Sequence, residues 1–126
     1  MKSKFAVVGS VAENGHPNVK AMLVSAHDGE DTFYFDSNNS SARVSQWLAN
    51  PAACLYFFRG FPIYEGVMLE GEMEILNDDA SKQARWKPSM KRVYPAGITD
   101  PDYCVLRFTA KTARFYRWLK TQTFTL

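Results

Sequence analysis

The ten residues VMLEGEMEIL, Val67 to Leu76, put Val67, Leu69, Met73 and Ile75 in one register and Glu70, Glu72 and Glu74 in the other. An extended chain points successive side chains to opposite faces, so this stretch is a strand with one face in the core and one in water. A helix of the same residues would spread the glutamates around its circumference.

The rest of the chain reads as strands of the same kind. Phe5 to Ala12 and Val19 to Ala26 flank ENGHP, where Asn14-Gly15 supplies the positive φ angles of a tight hairpin. HDGED repeats the device before Thr32 to Phe35, and Ala52 to Phe58 is apolar throughout. Val44, Trp47 and Leu48 recur at helical spacing, with Ser40 or Ser41 as cap and Pro51 as stop. Asp78 or Asp79 caps a second helix through about Trp86, after the loop RGFPI and the alternating strand. YCVLRFTA and ARFYRW give the last strands. The expected fold is mainly β with short helices: a six-stranded antiparallel barrel in a single domain, 1–126.

Composition narrows the function. A net charge of +2 is too small to imply nucleic acid, and the nearest approach to a basic cluster, RWKPSMKR, reads as a solvated face. Phe33, Phe35, Tyr56 and Phe57 are not placed by the alternation on one basic face, as a single-strand binder needs. Cys54 and Cys104 sit in apolar runs and read as buried thiols, favouring a reducing compartment. His16 and His27 stand in separate turns without ligand spacing, so no metal site is expected. The N-terminus lacks the apolar core of a signal peptide, and Val44 to Phe58 contains Gln46, Asn50 and Pro51, which rules out a membrane span. A soluble cytoplasmic protein is expected.

The chemistry concentrates at DSNNSSAR, Asp36 to Arg43, where a strand turns into a helix. A helix N-terminus offers unpaired N–H groups and partial positive charge, and Ser37, Asn38, Asn39 and Ser40 add donors. Arg43 in the first turn opposes the helix dipole, a frustration that an anion would relieve. Lys20 is a charge in an otherwise apolar strand. Lys20, Ser37, Ser41 and Arg43 therefore form a candidate phosphate cradle, against the alternative that the serines only cap the helix while both cations are solvated.

The succession NGHPNVKAML, TFYFDSNNSSARVSQWLANP, VMLEGEMEIL with NDDA, and YPAGITDPDYCVLRFTAKTARFYRW resembles the FMN-binding split-barrel proteins of the pyridoxamine 5'-phosphate oxidase-like superfamily, in particular the general-stress-protein branch. The resemblance implies a homodimer with FMN at the interface. It implies that Lys20 reaches the flavin phosphate while the backbone of Ala21, Met22 and Leu23 meets the ring edge. Asp36 and Ser37 would contact the flavin, and Ser41 and Arg43 the phosphate. The family often carries two adjacent cations at this corner, whereas here Ala42 precedes Arg43, implying weaker phosphate binding. Glu65 and Gly66 stand where a glutamine often faces the ring. Trp86 and Tyr64 are candidates to stack on the ring or close the pocket across a dimer, against the commoner alternative that an aromatic beside an apolar stripe is core. The implied function is an FMN-dependent oxidoreductase acting on a small molecule, with reduced nicotinamide a possible donor. Relatives with full pyridoxamine-phosphate oxidase activity carry a further C-terminal segment, so that activity is not expected of RWLKTQTFTL. The alternative is a non-catalytic, stress-related binding module, and F420 or haem replaces FMN in some relatives.

Overall fold

A computed structural model describes residues 5–60 and 64–126. The chain forms β1 (Phe5–Val11), β2 (Pro17–Leu23), β3 (Ala26–Asp28), β4 (Thr32–Asn38), α1 (Ala42–Ala49), β5 (Ala52–Arg59), β6 (Glu65–Leu76), α2 (Asp79–Arg85), β7 (Tyr103–Arg117) and β8 (Lys120–Thr125). Short 3-10 turns at Pro88–Arg92 and Gly97–Thr99 lie between α2 and β7. The expected loop RGFPI lies partly outside the described residues.

All the strands belong to one antiparallel sheet in the order β2-β1-β5-β6-β7-β4-β3, with β8 added to the far end of β7. The sheet curls into the half-barrel of a split barrel, burying Val8, Met22, Phe33, Phe35, Leu55, Leu69, Met73 and Phe108 against Val44 and Trp47 of α1 in one cluster. Each large side chain buried in this way contributes about 1.5–3 kcal/mol. The glutamates of β6 face outward, where Glu74 pairs with Arg107 at 3.0 Å and Glu72 with Lys111 at 3.4 Å.

Eight strands are present against the seven segments read from the sequence, and the antiparallel β architecture is as expected. A bend at Val24 and Ser25 divides β2 from β3, and a hairpin at Trp118 and Leu119 starts β8. Conversely, YCVLRFTA and ARFYRW are one strand, β7. Its partner register shifts from Glu70↔Thr112 to Gly71↔Ala110, leaving Lys111 as the extra residue of a bulge. The bulge reverses the parity of β7, so Leu106 and Phe108 before it and Ala113 after it all turn inward.

α1 begins where expected. Ser41 has extended backbone and its Oγ accepts from the Val44 N–H at 3.2 Å. Leu48, expected in the buried stripe, is instead 71% exposed, because the helix turns its Gln46 flank toward β1: Ser10 Oγ donates to Gln46 Oε1 at 2.5 Å.

Candidate functional site

The two free edges of the half-barrel meet at one corner, where the Ser25 N–H and Oγ both donate to the Tyr34 carbonyl, at 2.9 and 3.0 Å. From there β2 leaves to pair with β1, while the second half of β4 runs on toward α1. The sheet order leaves an open seam between β2 and Phe35–Ser37, and α1 follows β4 through the corner at residues 39–41.

Register fixes which side chains face this seam. Directly paired residues share a face. Met22 pairs with Ala6 and Lys20 with Val8, both core residues, so Lys20 lies on the inner face but is exposed at the edge. Ala21 and Leu23 alternate to the outer face and offer the seam only backbone, which an edge strand leaves half unpaired. Ser37 pairs with buried Cys104 and points inward. Register thus puts Lys20, Met22 and Ser37 on the inner face, while Ser41 caps α1 and Arg43 lies in its first turn.

Two polar atoms here are buried without a partner among the described residues: Ser37 Oγ, on a residue only 4% exposed, and Arg43 Nε. Buried donors are normally satisfied, and each that is not costs about 1–3 kcal/mol. Trp47 Nε1, one helical turn beyond Arg43, is in the same condition. A hydroxyl and a guanidinium are both groups that donate hydrogen bonds to anions, and they stand on the two sides of a strand-to-helix corner.

The other serine and asparagine groups have different work. Asn39 donates to Asn77 Oδ1 at 2.9 Å and to the Pro101 carbonyl at 3.0 Å. The Ser40 N–H donates to Asp102 Oδ1 at 2.8 Å and its hydroxyl to Oδ2 at 3.1 Å. The donor-rich run is largely a clasp holding the corner to residues 77 and 101–102. Sequence reasoning missed Ser10, Gln46 and Asp102; only the position of Gln46, one turn after Arg43, carried a signal.

Asp36, Glu65 and Trp86 are not brought to the seam from this chain. Asp36 alternates to the outer face, where the Tyr103 hydroxyl donates to its carboxylate at 3.4 Å. Burial there raises its pKa above 3.8, opposed by nearby Lys87, by the Tyr103 hydrogen bond and by Arg85. Trp86 packs edge-on to Tyr103 at 5.3 Å in a second cluster with Tyr94 and Val105. Burial pushes the Tyr94 hydroxyl up to about 12. Glu65 is held by Arg59 at 3.2 Å and Arg117 at 3.4 Å. Tyr64 packs edge-on to Trp118 at 5.4 Å. Phe33 and Phe35 are in the core, out of reach of a nucleobase.

Among the described residues no group of three His, Cys, Asp or Glu side chains is placed to hold a metal ion, and no helix is long and apolar enough to cross a membrane. Two surface hollows, of about 480 and 340 Å³, lie at the β7–β8 turn and beside the bulge, away from the seam.

An antiparallel half-barrel with a polar strand-to-helix corner at its open seam is the split-barrel class of protein. Residues 1–117 match the pyridoxamine 5'-phosphate oxidase family, and the chain belongs to it. It is similar to a protein related to general stress protein 26 from Clostridium acetobutylicum, with 43% identity and a TM-score of 0.85 over 98% of this chain and 86% of that one. General stress protein 26 from Bacillus anthracis shares the fold at 20% identity and a TM-score of 0.76, over 98% and 90% of the two chains. The pyridoxine/pyridoxamine 5'-phosphate oxidase of Porphyromonas gingivalis is 31% identical over 75 residues, covering 60% of this chain. That match spans about a third of the curated relative's length.

Proposed function

We propose that the chain is an FMN-binding flavoprotein that works as a homodimer and carries out oxidoreduction of a small molecule. The observation that carries this reading is the pair of unpartnered buried groups, Ser37 Oγ on the inner face of β4 and Arg43 Nε in the first turn of α1. With Lys20 at the β2 edge and Ser41 at the start of α1, they suit a phosphate monoester. Met22 gives an apolar floor, and the free backbone of 21–23 suits the hydrogen-bonding edge of a flat heterocycle.

When bound, the flavin supplies the electron-transfer chemistry; the chain binds it, orients it and limits what reaches it. Asp36 and Glu65 are engaged elsewhere, so the seam gains no general acid or base from them. An open trough leaves a planar ring half covered, and a second copy of the chain is the partner that would cover it. Two free cysteines, one buried, fit a reducing, cytoplasmic setting.

The test is the visible spectrum of the purified full chain, which is expected to be yellow with flavin bands. Bleaching of that colour by reduced nicotinamide without oxygen supports an enzyme. Bound flavin that no reductant or substrate bleaches supports a binding module, and protein that takes up neither FMN nor riboflavin sinks the proposal.

A further inference from the structure

We infer that Asp102 is a positioning residue for the anion-binding corner, acting through Ser40; this rests on the flavin reading above. The Asp102 carboxylate receives both the N–H and the hydroxyl of Ser40, at 2.8 and 3.1 Å. Asn38 Nδ2 donates to the same hydroxyl at 2.8 Å, and the Asn39 N–H donates to the Asp102 carbonyl at 2.7 Å. Asn39 and Asn77 exchange side-chain hydrogen bonds at 2.9 and 3.3 Å. Asn39 and Ser40, between the Ser37 hydroxyl and the Ser41 cap, are therefore fixed to the two ends of the 77–102 excursion, and Asn38 is tied to them through the Ser40 hydroxyl. The unpartnered Ser37 Oγ and Arg43 Nε flank this fixed stretch, one on either side.

The consequence is preorganisation. A polar corner held only by its own chain would have to order several residues whenever an anion bound, and that entropy would be subtracted from the affinity. With Ser40 clasped by a carboxylate from another part of the chain, the spacing between Ser37 and Arg43 is set before the ligand arrives. Asp102 touches no ligand in this scheme. Its effect should fall on the part of the ligand that sits at the corner, the phosphate, and spare the ring.

Binding of FMN and riboflavin to flavin-free full chain, followed by quenching of flavin fluorescence, tests this. Asp102→Ala is expected to weaken FMN about tenfold, the scale of one charge-assisted contact, while riboflavin changes much less. Asp102→Asn keeps an oxygen that accepts from the Ser40 N–H and is expected to restore most of the FMN affinity. A thermal melt of each variant reports folding. If Asp102→Ala does not fold, Asn39→Ala, which removes only the side-chain contacts to Asn77 and Pro101, carries the test in the same direction. An unchanged FMN-to-riboflavin ratio in the folded variants, with the original chain binding FMN, overturns this inference alone. Failure of the original chain to bind either flavin overturns it together with the flavin reading.

Discussion

The Asp36 carboxylate and the Ser37 hydroxyl leave consecutive residues of β4 toward opposite faces of one sheet, the first against Tyr103 beneath the 77–102 excursion and the second into the half-barrel. Both are withdrawn from water, with different consequences. Ser37 keeps an unused donor for something that enters the seam, whereas Asp36 carries a charge that its surroundings disfavour.

Asp36→Asn should therefore stabilise the protein at neutral pH. Burial raises the folded pKa above the unfolded value of 3.8, so the native state holds its proton longer than the unfolded state. Stability linked to this group is full below 3.8 and is lost as pH rises through the folded value. Melting temperatures from pH 3 to 8 should show the variant gaining on the original chain as pH rises across that window and holding its advantage above it. An advantage confined to acid pH would contradict the assignment.

Arg43→Ala should weaken FMN by about 1.5–3 kcal/mol, the range for hydrogen bonds to charged groups, and riboflavin by far less, because riboflavin has no phosphate. Titration of both ligands decides it; equal losses would place the guanidinium away from the phosphate.

Gly71→Ala should be among the most damaging single-methyl changes in the chain. A Cβ there would lie 1.9 Å from the Thr109 carbonyl oxygen, a backbone atom that cannot swing aside. The cost should reach about 3 kcal/mol or more, at the upper end for overpacking. Denaturant unfolding measures it, and a loss under about 1 kcal/mol would mean that β6 and β7 can part locally.

Thiol labelling should separate the two cysteines. Cys104 is fully buried and its thiol is pushed up to about 11, so it should stay unmodified at pH 8 in the native protein. Cys54 is only partly buried and should react first, slowly, since burial raises its pKa too. Mass spectrometry of native and denatured samples should show one label and then two.

Much of this was legible because it is local. Alternation in VMLEGEMEIL marked β6 and its wet glutamates, and Ser41 and Pro51 bracketed α1. What could not be read depends on partners distant in the chain. The break inferred between Ala110 and Ala113 is a parity change that a bulge absorbs within one strand, and only pairing with β6 reveals it. Asn39 and Ser40 looked like ligand donors because their acceptors lie at 77 and 101–102, distant in the chain. Asp36 and Ser37 looked alike as contacts until alternation assigned them to different faces.

The excursion from Asn77 to Asp102 begins and ends on the same two residues of the corner, Asn39 and Ser40. A loop whose two stems are pinned side by side can be lengthened at little cost, since each doubling adds only about 0.6 kcal/mol of closure entropy. The stretch between those stems is thus a graft point, where a chain of this design can exchange one outer covering for another while the seam keeps its shape.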